Sequence, residues 1–387
     1  MRTEPDMTEA VLVSAVRTAH GKRAGALASV HPVDLLADVL NAAINRIGLA
    51  PEEVQDVAVG CVSQIGDQSS NVGRFAVLAA GWPEEIPGVT INRACGSSQQ
   101  ALDYAACAIM SGQADVVVAA GVEAMSRVPL GAARQVGQPY GPRVLERYDS
   151  FSFNQGISAE KIAAQWGFTR LRLDEFALAS HQKAAAAIDS GAFDEQIVPI
   201  EVDGATFAVD EGVRRDTSLE ALGALRPSFQ ADGVIHAGNS SQISDGASAV
   251  VVMSAERAKN LSVPPLVRYR GGSVSGANPV LMLTGPIPAT QRLLKRTGLS
   301  LRDIGVFEVN EAFAPVPLAW MHDLGADPER VNPLGGAIAL GHPLGASGTS
   351  LMTRMVHHMR DRGIQFGLQT MCEGGGTANA TLVELVA

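Results

Sequence analysis

The chain has 387 residues, 46% of them hydrophobic and 18% charged, which excludes wholesale disorder and leaves room for two or three domains with a large core. Thirty Lys and Arg against forty Asp and Glu give a net charge of −10, and no basic tract appears, so a nucleic-acid backbone is a poor partner. Aromatics are 5%, too few for a base-stacking surface, whereas the 40 glycines imply many tight turns and close backbone approaches.

The opening Met1–Ala10 stretch is polar and acidic, unlike a signal peptide. Ala10–Val16 reads as a buried strand, and Pro32–Ile47 has helical spacing capped by Gly48. Val54–Cys61 and the residues ending at Thr90–Asn92 read as strands. Ser97–Ser111 reads as a small-residue helix with Leu102 and Ile109 on its apolar face. Asp115–Ala120 (DVVVAA) is a continuous apolar run of the parallel-sheet kind. Strands alternating with helices predict an α/β layered fold.

From Ala124 to Ile243 the pattern changes to prolines, helices over Ala159–Trp166 and Leu173–Ser190, and a charged loop-like stretch over Asp203–Ser228. This segment reads as an insertion outside the sheet core. Ala247–Met253 restores the buried-strand pattern. The second half then echoes the first. Gly48–Val54 resembles Gly298–Ile304, each ahead of a strand, and Ile91-Asn92 matches Val331-Asn332 ahead of a turn and helix. Two matches in one order point to a duplicated α/β unit.

Four segments carry chemistry. Cys95 sits in the bend before the Ser97 helix, whose N–H groups and dipole would lower a thiol's pKa and cradle an oxyanion. By contrast, Cys61 and Cys107 read as core cysteines. His342 lies in a glycine-rich run over residues 335–348, with no Gly-Lys-Ser/Thr to make it a P-loop, and is a candidate general base. Cys372 follows a strand over Phe366–Thr370 and precedes three glycines. Asn310-Glu-Ala-Phe follows a strand over Val306–Val309, where open α/β sheets place ligands. The four cysteines fit neither a zinc knuckle nor a redox CxxC motif, and they call for no metal.

Together, Cys95-Gly-Ser-Ser, Asn310-Glu-Ala-Phe, Gly341-His342-Pro-Leu-Gly-Ala-Ser-Gly and Cys372-Glu-Gly-Gly-Gly stand in the order and spacing of the thiolases. The chain resembles an acetyl-CoA C-acyltransferase or acetyltransferase from about Val11 to its C-terminus. The resemblance implies the duplicated five-layered α/β/α/β/α thiolase fold with an inserted loop domain. It implies a first half at residues 1–124 plus 244–265, a CoA-covering insertion at 125–243 and a second half at 266–387. It also implies a reversible, CoA-dependent cleavage of 3-ketoacyl-CoA, or the reverse Claisen condensation.

By the same resemblance, Cys95 is the acylated nucleophile, His342 its base and Cys372 the second acid/base, with a thiol pKa near the usual value of about 8.5. His342 and a water held by Asn310 form one oxyanion hole, and the N–H groups of Cys95 and Gly374 form the other. Arg214, Phe229, Ala237 and Ser241 match CoA-contacting positions. The family implies no resident cofactor, acyl-CoA partners, a homodimer or homotetramer, and a cytoplasmic location. Where acetoacetyl-forming thiolases carry His-Met-Gly, this chain has Phe153-Asn154-Gln155-Gly156, which favours longer 3-ketoacyl chains over a strict acetyl-CoA acetyltransferase. Ser98 stands in place of a usual glycine and is expected to matter little. Two other readings remain. A decarboxylating ketoacyl synthase is disfavoured by Cys372 in its glycine-rich setting. A non-catalytic lipid-binding relative is disfavoured by the presence of Cys95, His342 and Cys372 together.

Overall fold

The structure, a computed structural model, describes residues 8–386. The reading of Met1–Ala10 as a non-signal segment falls mostly outside them. Five strands build a first half: β1 (Ala10–Thr18), β2 (Asp56–Gly60), β3 (Gly88–Ile91), β4 (Val116–Ala124) and β5 (Ser244–Ser254). Helices α1 (Pro32–Asn45), α2 (Val72–Ala79) and α3 (Ser97–Met110) connect them. Between β4 and β5 lie α4 (Gln155–Trp166) and α5 (Arg170–Asp189). The second half has β6 (Val267–Gly276), β7 (Val306–Val309), β8 (Phe366–Glu373) and β9 (Thr377–Leu385), with α6 (Pro286–Thr297), α7 (Pro315–Leu324) and α8 (Ser347–Arg362).

The strands run β7-β8-β9-β6-β1-β5-β4-β2-β3. The two halves repeat each other. Outward from the centre, β1, β5 and β4 pair antiparallel, then β4, β2 and β3 pair parallel. In the second half β6, β9 and β8 pair antiparallel and β8 and β7 parallel, and a parallel bridge at Val331 takes the place of β3. Among the described residues, the two halves of the sheet pair where β1 meets β6, at Val11↔Arg268 and Leu12↔Val267. The duplication legible in Gly48–Val54 and Gly298–Ile304 is therefore a duplication of topology.

Alternation along β1 separates two cores. Val11, Val13 and Val16 face α1 and α2, while Ala10, Leu12 and Ala15 face a middle layer made of α3 and α8. Leu102 and Ile109 of α3 and Met352, Met355 and Met359 of α8 fill the space between the sheets, against Val250 on one side and Val383 on the other. A third core packs α6 and α7 on β7, β8 and β9 around Trp320 and Phe307. The layers are thus helix, sheet, helix, sheet, helix. His31 and Pro32 start α1, with the His31 ring accepting from the Val33 N–H, and Gly48 follows it in the left-handed region at φ 61°.

Three expectations change. Cys107 is exposed rather than core, because it shares the outward face of α3 with Tyr104, one turn earlier. The Ala124–Ile243 insertion does reach the sheet: its Ile197–Val198 pairs with Arg17 and Thr18 of β1. Its Asp203–Ser228 stretch is not all loop, since Ala205–Phe207 forms a hairpin strand with Ile200–Val202 and Leu219–Gly223 is a short helix.

The middle layer is unusually close. A Cβ on Gly348 of α8 would fall into the backbone nitrogen of Gln99 in α3. Ser98, expected to matter little, accepts from the Thr349 N–H at 3.0 Å and fastens the two helices. Gly348→Ala should therefore cost about 3 kcal/mol or more, the upper range for overpacking. A thermal melt of Gly348→Ala that matches the parent would contradict this close approach.

Candidate active site

Cys95 sits in the turn between β3 and α3, 4% exposed. Ala94 before it is left-handed at φ 44°, a conformation that a non-glycine residue adopts only when its surroundings enforce it. The Asn92 side chain accepts from the Ala94 N–H at 2.9 Å, and Ser97 Oγ accepts from the Arg93 N–H at 2.9 Å, which fixes the bend. The bend sets Cys95 against the end of β8 and the loop before α8. Cys95 packs there with Met125, Leu344, Leu351 and Met371.

Burial pushes the Cys95 thiol up to about 12, and the Glu373 carboxyl adds to this, while the Gln155 side chain opposes it. Cys372, inside β8 rather than beyond it, is pushed well above the ordinary thiol value by burial, then by Cys95 and Glu373. Cys95 thus stands close enough to Cys372 to act on its thiol. This corrects two expectations. Desolvation outweighs the start of α3 at Cys95, and Cys372 does not titrate near its free value. Both are thiols at rest.

His342 is buried ahead of α8. Its Nδ1 lies 2.6 Å from Ser347 Oγ, and that hydroxyl uses its only proton to donate to the Pro343 carbonyl at 2.8 Å. Nδ1–H therefore donates to Ser347, and Nε2 keeps its lone pair. Burial lowers the imidazole to about 4, so it is neutral and available as a base. Asn310, at the end of β7, brings Nδ2 to 3.3 Å from His342 Nε2. Its buried Oδ1 has no hydrogen-bond partner. Gly374 completes the group: a Cβ there would stand 3.7 Å from the Ala94 Cβ and 3.5 Å from Gln155 Nε2.

Of the five predicted catalytic positions, Cys95 acts on Cys372 with Gly374 beside the Cys95 turn, Asn310 meets His342, and Leu344 of the His342 loop packs with Cys95. The structure adds three residues to this group, of which the sequence reading named only Gln155, as part of the Phe153–Gly156 stretch. Glu123, at the end of β4, accepts from the N–H groups of Val62, Ser63 and Gly345 and from Gln68, tying the His342 loop to the first half. Gln155 enters from the insertion at the start of α4. Ser347, five residues after His342, was within reach of sequence reasoning. Glu123 lies far from the motifs in the chain and carries no local signal.

The predicted CoA positions separate into two places. Phe229 stacks edge-on against Phe313 at 5.9 Å, Ser241 N–H donates to the Ala312 carbonyl at 2.9 Å, and Ala237 opens the exposed turn between them. These three follow one wall leading to Asn310. Arg214 stands apart, in a cleft of about 300 Å³ against α5 with His181 and Thr217. Its N–H donates to His181 Nδ1 at 3.1 Å, and it has no carboxylate partner among the described residues, whereas Arg215 pairs with Asp189 at 2.8 Å. Among the described residues there is no metal-type cluster of three or more His, Cys, Asp or Glu. No described helix is long and apolar enough to cross a membrane.

The family model for the thiolase N-terminal domain matches residues 10–256, and that for the thiolase C-terminal domain matches residues 263–385. The chain belongs to the thiolase family. A steroid 3-ketoacyl-CoA thiolase of Mycobacterium tuberculosis is 49% identical over 386 residues, covering 98% of this chain and 94% of that one. A 3-ketoacyl-CoA thiolase of Bacillus subtilis is 42% identical, covering 98% and 100%. An acetyl-CoA acetyltransferase of Escherichia coli is 43% identical, covering 98% and 99%. The crystal structure of the Bacillus anthracis acetyl-CoA acetyltransferase superposes with a TM-score of 0.91 at 40% identity, covering 98% and 99%. As a thiolase, the protein is an acyltransferase, and the fold expected from its motifs is the one it has.

In this thiolase the acceptor at His342 Nδ1 decides which ring nitrogen is basic. Ser347→Ala should leave the fold intact and lower turnover about tenfold, the worth of one buried hydrogen bond. A kcat equal to the parent's would remove Ser347 from that role.

Proposed function

We propose that this thiolase cleaves and forms 3-ketoacyl-CoA esters larger than acetoacetyl-CoA through an acyl group carried on Cys95. In the cleavage direction, His342 Nε2 takes the Cys95 proton as sulfur attacks the 3-keto carbon. The bond between C2 and C3 breaks, and its electron pair leaves with acetyl-CoA as an enolate. Cys372 gives its proton to that carbon. The acyl group remains as a thioester on Cys95. Cys372, now a thiolate, deprotonates incoming CoA, whose sulfur attacks the thioester; the shortened acyl-CoA is released as the Cys95–acyl bond breaks, and Cys95 leaves as a thiolate that takes its proton back from His342. Condensation runs the same steps backwards. The reaction moves only protons and an acyl group, so it calls for no metal and no resident cofactor.

Two buried neutral thiols near each other, and an imidazole with a basic Nε2 on the loop whose Leu344 packs with Cys95, carry this reading. Resting neutrality suits it: the cycle starts from uncharged groups, and the enolate and thiolate charges appear only as bonds change. His342 and a water held by Asn310 serve the enolate oxygen, and the orphan Asn310 Oδ1 fits a site that holds such a water. The N–H groups of Cys95 and Gly374 serve the tetrahedral oxyanions.

The substrate range is inferred from two supports. Asn154-Gln155 stands where acetoacetyl-forming enzymes carry His-Met, and the 49% identical relative bears the name of a steroid 3-ketoacyl-CoA thiolase. A strict acetyl-CoA acetyltransferase is the alternative, because relatives of that name are also similar. In this reading residues 125–243 form the cover for CoA, with Phe229, Ala237 and Ser241 along the pantetheine and Arg214 near the nucleotide, between halves at 1–124 plus 244–265 and at 266–387. A homodimer or homotetramer in the cytoplasm completes the proposal. The edge strand β3 exposes Val89, and α2 exposes Phe75 and Leu78, a surface suited to a second copy.

Thiolysis measured across 3-ketoacyl-CoAs of rising length, beside condensation of acetyl-CoA, tests the substrate claim. Activity should extend well beyond four carbons, and activity confined to acetoacetyl-CoA would overturn it. Asn310→Ala should fold normally and lose about 10²–10³ in kcat. Parental turnover in that variant would remove Asn310 from the oxyanion hole.

A further inference from the structure

Glu373 follows Cys372 at the end of β8, and the mechanism above does not use it. Its side chain is wholly buried. One carboxyl oxygen, Oε2, accepts from Thr377 Oγ1 at 2.6 Å. The other, Oε1, has no partner. It leans so closely on Gly96, the residue after Cys95, that a Cβ at position 96 would collide with it. Asn379 reaches the same place from β9. Its Nδ2 donates to the Gly96 carbonyl at 3.1 Å, and its buried Oδ1 is also without a partner. That Oδ1 lies 3.0 Å from where the Gly96 Cβ would be.

Two orphan acceptors facing one glycine lack a proton between them. A buried acceptor left unpaired costs about 1–3 kcal/mol, and a single hydrogen on Glu373 Oε1, donated to Asn379 Oδ1, satisfies both. We propose that Glu373 is a positioning residue for the thiol chemistry: a carboxylic acid clamped through Asn379 behind the Cys95–Gly96 turn, which, once ionised, holds both cysteines as thiols. The proposal rests on Cys95 being the nucleophile.

The surroundings agree with this assignment. Burial raises the carboxyl to about 7, Asp103 adds to this, and Thr377 and Arg93 oppose it. The charged and titratable groups that face it are Arg93 from the turn ahead of α3, Asp103 from α3, Cys95, and Cys372 on its own strand. From β9 come only the neutral Thr377 and Asn379, and residues 277–285 behind Gly376 carry no charged side chain. Asp103 is itself lifted to about 7 by burial, so it adds little charge at lower pH. An ionised Glu373 is then a negative charge beside two sulfurs. A unit charge a few ångströms away at an effective dielectric of about 20 moves a thiol by roughly one pH unit or more. Thiol reactivity should therefore climb less steeply above neutral pH than that of a lone cysteine.

The test is the rate of iodoacetamide alkylation of the intact protein from pH 6 to 9, with the Cys95 adduct read by mass spectrometry. Glu373→Gln keeps the amide hydrogen for Asn379 and removes the charge. The ratio of its rate to the parent's should be near one at pH 6 and rise to about tenfold at pH 9. A ratio that stays flat over this range overturns the proposal. Thr377→Val removes the donor to Oε2 and should move the inflection in the parent's rate profile to higher pH. An unmoved inflection counts equally against it, and this variant serves if Glu373→Gln does not fold. Protection of Cys95 by acyl-CoA in the same experiment reports separately on the nucleophile, so failure of that assignment is distinct from a flat ratio.

Discussion

The closeness of α3 to α8 in the middle layer is the constraint on which the site depends. Each helix is preceded by a turn that carries a reactive group, Cys95 before α3 and His342 before α8. With the helices in backbone contact at Gln99 and Gly348, those turns open at one place. Glu123 then holds the loop of the second half to the first by accepting from Gly345, Val62 and Ser63 at once. A carboxylate with several N–H donors is a strong local tie, and here it works across the join of two halves whose sheets share only two paired positions.

Burial is the second governing effect. The cysteines and the histidine lie far enough from water that each prefers its neutral form. The start of a helix beside Cys95 would by itself favour a thiolate, but desolvation is the larger effect. The site is therefore poised by geometry rather than by resting charge. In the proposed mechanism, protons move when a substrate brings a carbonyl to the sulfur and an oxyanion forms beside the donors. The same desolvation acts on Glu373 and Asp103, which share the space between α3 and the second sheet. The insertion is tied into this core through polar contacts: Arg17 of β1 pairs with Asp210 at 2.8 Å, and Ser180 of α5 donates to Glu311 at 2.6 Å.

Much of this was legible from local pattern. Continuous apolar runs marked β1, β4 and β5, because strands covered on both faces have no polar side to show. The repeated turn at Gly48 and Gly298 marked the duplication. The four motifs marked the candidate catalytic positions, since a cysteine in a tight bend and a histidine beside a proline leave compositional traces. Cys107 was misread because a run of alanines around it does not say which face of α3 turns outward. Ser98 was undervalued because its partner, Thr349, is 251 residues away. Glu123 was invisible for the same reason, its partner Gly345 lying 222 residues away.

The sequence alone determined the class of fold, the family and the list of reactive side chains, since these follow from periodicity and from residue types at fixed short spacings. The tertiary structure decided what state those side chains are in. Their protonation, the basic nitrogen of His342 and the wedging of Glu373 behind Gly96 depend on burial and on partners brought from distant segments, and both are properties of packing that no local spacing encodes.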